Sequence, residues 1–284
     1  MAQNVRALKG RIDNIENIGQ ITKAMNAIAM TKVTRMKRRL AETRPYIDGL
    51  TTFSQRLMGR LAASEDPHPL MVANGCSDIG IFVLNADRGL CGRYKGELNR
   101  ESEKLVNEHG ADGRLILGGD KARAYFARRD AQVLATYAHV YDEPTEAIAI
   151  RMADEMIATY ERGELGRIDL VYMRFVSDLS QKLVVEPFLP LSVEVSENDD
   201  LIDPDADAML DIALRMTLRA KLYAALIETK TSEDALRRQA MRAATDNAED
   251  LSKNLTRVYN KARQQAITRE IADIIGGAEA LRTE

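Results

Sequence analysis

The sequence predicts an α/β protein with two long terminal helices: an antiparallel two-helix coiled coil formed by the N- and C-terminal segments, with a Rossmann-like, mostly parallel α/β domain inserted between them. Three observations carry this expectation. Apolar residues near both ends recur at steps of three and four, the spacing of a coiled-coil seam. In the middle, four apolar runs alternate with helical stretches, and strand–helix alternation implies right-handed crossovers and a parallel sheet. Gly and Pro supply only 17 and 7 of the 284 residues, aromatics 5%, and Trp is absent, a skew towards long helices.

In the first segment the seam reads Val5, Leu8, Ile12, Ile15, Ile18, Ile21, Met25 and Ile28, continuing more loosely to Met36 and Leu40, with no proline before Pro45. The middle segment supplies strands at "IGIFVL" (79–84), "RLILGG" (114–119), "AQVLATYAHV" (131–140) and "RIDLVYMRFV" (167–176), separated by helical stretches at 95–110, 120–130 and 145–163. The run "QKLVVEPFLPLS" (181–192) reads as an edge strand, because its prolines cannot donate to a ladder. The closing helix extends from about Asp205 to Ile275 without proline, and Met241, Ala244, Ala248, Leu251, Leu255, Val258 and Ala262 form its seam. At ~1.5 Å per residue that helix is a rod of roughly 100 Å, against about 35 Å for a compact domain of this size, so it is expected to protrude. The boundaries are therefore 1–60 for the first coiled-coil helix, 61–195 for the α/β domain with its linkers, and 196–284 for the last helix.

Composition removes several function classes. A formal net charge of -3 is unlike a dedicated nucleic-acid binder, which is basic overall. Cys76 and Cys91 are the only cysteines, with no CxxC and no clustered His, so neither a disulfide framework nor a zinc site is implied, which fits a reducing compartment. No apolar signal core stands at the start and no run of 18 apolar residues occurs, so neither secretion by a standard signal nor bilayer insertion is expected. Charge is segregated: residues 31–44 carry six basic residues and one acid, and 194–211 carry eight acids and no Lys or Arg. An antiparallel pairing would place these blocks near one end of the rod.

The stretch "NADRGLCG" (85–92) has the look of an active-site loop, with Asp87, Arg88 and Cys91 directly after a strand. Neither GxGxxG nor GxxxxGK[ST] is present, so no phosphate cradle is indicated. A nucleophilic Cys91 needs a base, and His68, His109 and His139 lie in a linker, at a helix end and at a strand end. Asp87 and Arg88 are read as a structural ion pair or turn, and Gly89 and Gly92 as sources of backbone freedom. "GGDK" (118–121) is a second strand-to-helix turn at the carboxyl end of the sheet, without a convergent acid, base or ligand set. No catalytic, cofactor-binding or metal-ligating residue is assigned. On these grounds alone a coiled-coil adaptor, a small-molecule sensor with a helical stalk, and an enzyme using the DRGLCG loop all stay open.

A further set of motifs decides among them. "ITKAMNAIAMTK" (21–32), "DRGLCG" (87–92), "FVS" (175–177) with "LPLS" (189–192), "MRAATDNA" (241–248) and "YNKARQQAIT" (259–268) span essentially the whole chain. Together they resemble the gamma subunits of F-type ATP synthases, the C-terminal motifs most specifically. The resemblance implies a rotating central shaft inside three alpha and three beta subunits. It also implies a foot beside the epsilon subunit and the c ring, with no cofactor and no catalysis by the shaft itself. It implies a peripheral location on the cytoplasmic face of a bacterial inner membrane, or the matrix side in a mitochondrion. By motif match, Met25, Arg237, Gln264 and Thr268 fall where the family's shaft meets beta-subunit loops. Arg35, Arg38, Leu201, Ile202 and Asp203 fall where its foot meets the c ring. Arg93 stands where the family commonly has a second glycine after "LCG", and the segment 192–205 has no cysteine, so the thiol-regulated insertion of chloroplast members is not expected.

Overall fold

The computed structural model describes residues 2–61, 67–140, 142–192 and 206–282. Five helices and five strands carry the fold: α1 (Ala2–Leu61), β1 (Ile79–Leu84), α2 (Tyr94–His109), β2 (Gly113–Gly118), α3 (Asp120–Phe126), β3 (Val133–Tyr137), α4 (Glu146–Glu161), β4 (Arg167–Phe175), β5 (Gln181–Leu189) and α5 (Ala206–Arg282). They fall into two compact units, residues 29–237 and residues 1–28 with 238–284. These units divide the chain elsewhere than at 60/61 and 195/196, because half of each long helix is buried with the sheet.

In the larger unit the sheet order is β3-β2-β1-β4-β5. β1 pairs in parallel with β2 and β4, β2 pairs in parallel with β3, and β5 closes the edge antiparallel to β4. The mostly parallel Rossmann-like sheet expected from the sequence is therefore present, with β3, β4 and β5 shorter than their apolar runs. "IGIFVL" is apolar throughout because β1 is covered on both faces. Ile81 and Val83 join Leu115, Leu117, Val171 and Met173 under α2 and α3, together with Tyr94, Leu98 and Phe126. Phe82 and Leu84 face the opposite core, made with Met152, Met156 and Tyr160 of α4, Leu57 of α1, and Leu214, Leu218 and Leu226 of α5. Alternate residues of a strand point to opposite faces, and here each face has its own helical cover.

Two local devices set the chain's direction at helix ends. Thr145 caps α4 by accepting from the backbone N–H of Ile148. Gly119, at φ +93, turns β2 into α3 where a side chain would strike the Asn85 carbonyl. Gly166 is tighter still: a Cβ there would lie 1.8 Å from the Cys76 carbonyl oxygen. Gly166→Ala is expected to cost about 3 kcal/mol or more as the backbone is pushed apart. Gly89→Ala, whose added methyl meets nothing within 4 Å, should stay within about 0.5 kcal/mol. Equilibrium unfolding in urea of both variants checks the difference.

In the smaller unit α1 and α5 run antiparallel. Gly19 faces Ala248 closely enough that an added Cβ would sit 3.5 Å from the alanine methyl. The Thr22 and Thr245 hydroxyls are 2.8 Å apart, and Ser252 donates to Glu16 at 3.1 Å. The seam is the expected one at Val5, Leu8, Ile12, Ile15 and Met25 of α1 and at Met241, Ala244, Ala248, Leu255 and Ala262 of α5, and departs from it at Ile18, Ile21, Ile28, Leu251 and Val258. Up to residue 28 of α1 the buried and half-buried positions are 5, 8, 12, 15, 19, 22, 25 and 26, and from residue 241 of α5 they are 241, 244, 245, 248, 252, 255, 259, 262 and 266. The inner line thus keeps a strict heptad through Gly19, Thr22, Thr245, Ser252 and Tyr259. Ile18, Ile21 and Ile28 are 54%, 60% and 58% exposed, and Leu251 and Val258 are about as open. Where the apolar pattern and the inner line part, Gly19, Thr22, Ser252 and Tyr259 take the inner position beside exposed Ile18, Ile21, Leu251 and Val258, and Gly19 lets the backbones approach closely.

Candidate functional site

The DRGLCG loop is built as a brace. Asn85, just past β1, is buried and donates to the Asn99 side chain at 2.6 Å. Asp87 Oδ1 accepts the backbone N–H groups of Asp120 and His139, each at 3.1 Å, which ties the ends of β1, β2 and β3 together. Arg88 pairs with Asp142 at 2.7 Å, so both residues serve the structure of the turn, as the ion-pair-or-turn reading expects, through partners distant in sequence. Burial, and then the nearby Glu233 carboxylate, push the Cys91 thiol above its ordinary pKa. That is the opposite of what a nucleophilic thiol requires.

Beneath the loop lies a buried group that no sequence pattern singles out. Lys230 and Arg237 each stand three and four residues along α5 from the adjacent acids Glu233 and Asp234, and all four are buried. Arg237 bonds both Glu233 and Asp234 and reaches the Gly89 carbonyl at 3.5 Å, while Lys230 is 3.3 Å from Glu233. Opposite charges at such spacings usually line a solvated helix face, which is why "KTSEDALRR" carries no sequence signal of burial. Arg237, one of the motif-matched residues, is 9% exposed and is engaged within this cluster.

The other candidate residues are spread along the long helices. Met25 is half-buried, and Gln264 and Thr268 are exposed; the Thr268 hydroxyl donates to the Gln264 carbonyl within the helix at 2.9 Å. With Gly19 opposite Ala248, the first residue of α1 lies across from about residue 265. Ile267, Ile271, Ile274 and Ile275 of α5 follow that point and are exposed. Arg35 pairs with Glu143 at 3.1 Å and Arg38 with Glu42 at 2.8 Å, both at the surface. Leu201, Ile202 and Asp203 lie outside the described residues. The smaller unit thus presents an outward apolar line, Ile18, Ile21 and Ile28 on α1 with Leu251 and Val258 on α5, which is the signature of a surface that packs against other chains. Among the described residues, no helix is long and apolar enough to cross a membrane.

An α/β unit whose conspicuous loop is a brace, joined to a helix pair with apolar residues facing outward, defines a protein that works by docking. Comparison with known proteins agrees. Residues 4–281 match the family described as ATP synthase. The ATP synthase gamma chains of Picosynechococcus sp. and Desulfitobacterium hafniense are each 35% identical over 98% of this chain and 99% of their own. The chain belongs to the ATP synthase gamma-chain family. Among solved structures, a chain of the Euglena gracilis mitochondrial ATP synthase, from an assembly with F1 and c-ring, has the same fold with a TM-score of 0.70. It is 18% identical, and the match covers 99% of this chain and 95% of that one. A chain of the Euglena rotor aligns with a TM-score of 0.66, at 18% identity and over 94% of this chain and 100% of that one.

Proposed function

We propose that this chain is the central-stalk rotor subunit of a rotary ATP synthase, coupling proton-driven rotation of a c ring to conformational change at catalytic sites on beta subunits. The observation that carries the reading is the outward apolar line on a continuous antiparallel helix pair, in a chain that belongs to the gamma family over its whole length. A helix pair closed by Gly19 against Ala248 is narrow and asymmetric in section, as a shaft turning inside a ring of alpha and beta subunits must be. In this reading Met25, Gln264 and Thr268 meet beta-subunit loops. Arg237, placed by the motif match at the same loops, also holds Glu233 and Asp234 within α5, and Arg35, Arg38, Leu201, Ile202 and Asp203 lie towards the c ring. The epsilon subunit docks on the α/β unit. The protein is peripheral, on the cytoplasmic face of a bacterial inner membrane or the matrix side in a mitochondrion.

The chain itself is proposed to be non-catalytic. Its sequence lacks both phosphate-loop fingerprints, and the one loop that resembles an active site holds a thiol raised above its ordinary pKa. The folded, isolated chain is expected to hydrolyse no ATP above a contaminant control, while restoring coupled turnover to a complex that lacks it. Turnover by the chain alone, or full coupling in its absence, would overturn the reading.

A further inference from the structure

At the carboxyl ends of three adjacent parallel strands, Asp87 (after β1), Asp120 (after β2) and His139 (after β3) each bring a ligand atom to within 4.8 Å of the other two. We propose that these three side chains form a binding site for a single divalent transition-metal ion, with zinc as the best match. The donor chemistry points there: one imidazole nitrogen with two carboxylate oxygens is a mixed N/O set that suits zinc, cobalt or manganese better than calcium or magnesium, which prefer oxygen alone. The donors come from three separate elements rather than from one helix face, so their convergence is a property of the fold. Residues 87, 120 and 139 are too far apart for any spacing motif, which is why no metal site is expected from the sequence.

Asp87 is the fixed ligand. It is 9% exposed, and its Oδ1 is held by the amides of Asp120 and His139, the two residues that carry the other ligands. A ligating carboxylate is oriented by hydrogen bonds of this kind, and since a carboxylate offers about four acceptor positions these bonds and a metal are compatible. Asp120 is half-buried and His139 exposed, so both can close in. Tetrahedral zinc at about 2.0–2.1 Å from its ligands needs donors about 3.3 Å apart, a contraction that side-chain rotation supplies. Both bonds from Arg123 to Asp120, at 3.2 and 3.1 Å, go to Oδ1, which leaves Oδ2 to turn towards the ion. Water completes the coordination from the open side. The bound ion would clamp the ends of β1, β2 and β3, the same three ends that Asp87 already ties through backbone amides.

The test titrates zinc, and cobalt as a spectroscopic probe, into the full-length chain stripped of metal. Calorimetry should give one site, and cobalt should give the visible absorption of a low-symmetry site of low coordination number. His139→Ala and Asp120→Asn, at exposed and half-buried positions, should each keep the far-ultraviolet circular dichroism and weaken binding at least about tenfold. His109→Ala, on the far end of α2, should leave binding unchanged, and Arg123→Ala should leave it intact or tighten it by removing a competing cation. Absence of saturable binding at one equivalent, or a site that either His139→Ala or Asp120→Asn leaves undisturbed, overturns the proposal. Asp87 is then a brace alone.

Discussion

Arg237→Ala is expected to destabilise the larger unit by about 3–5 kcal/mol, the cost of removing one partner from a buried, hydrogen-bonded ion pair. Glu233 and Asp234 stay behind with buried side chains beside Lys230, and the Gly89 carbonyl of the DRGLCG loop loses its donor. A substitution at an exposed contact would behave differently. Arg38→Ala removes a pair with Glu42 that is largely in solvent and should cost no more than about 0.5 kcal/mol. Equilibrium unfolding of the two variants side by side separates them, and a loss below about 1 kcal/mol at Arg237 would mean that water reaches this cluster. The consequence for function is practical. A drop in coupled turnover in Arg237→Ala reports on folding as well as on partners, whereas Gln264→Ala, at an exposed position, isolates the partner contact.

The second large effect is expected on the outward line of the smaller unit. Ile18→Glu with Ile21→Glu should leave the isolated chain folded to within about 1 kcal/mol, since both side chains already stand largely in water. In a complex they would place two carboxylates against apolar surface. An unpaired buried charge costs several kcal/mol, and each 1.4 kcal/mol is about tenfold in affinity, so assembly or coupled turnover should fall by at least about tenfold. Ile12→Glu makes the contrast, because Ile12 is buried in the seam and its substitution should weaken the helix pair in the isolated chain. Circular dichroism of the free chains and subunit content of the purified complexes provide the two readouts. Normal complexes and turnover from the Ile18/Ile21 variant would show that this face meets no partner.

Secondary structure was legible in the sequence almost throughout, because each element announces itself locally. β1 falls on the run 79–84 without displacement, and α2, α4 and β4 lie within a residue or two of their apolar patterns. Membership of the gamma family was legible too, since the motifs at 241–248 and 259–268 are contiguous strings. The phase of the coiled coil was legible only in part. Two neighbouring stripes of each long helix are rich in apolar or small residues, and a periodicity of three and four fits either one. The choice between Ile18 and Gly19, or between Leu251 and Ser252, depends on how closely two backbones can approach, which neither helix encodes alone.

By itself the sequence determined the order of strands and helices, the sheet's mostly parallel character and the family, all of which rest on patterns within one stretch of chain. Only the tertiary structure decided which residues those stretches bring together. It buried "KTSEDALR" (230–237), tied Arg237 to the DRGLCG loop and gave Asp87 to the amides of two distant strand ends. It turned Ile18, Ile21 and Ile28 outward. The physical reason is that burial and pairing are properties of two surfaces at once: a charged residue every third or fourth position reads identically on a solvated helix and on a buried one, until the element that covers it is in place.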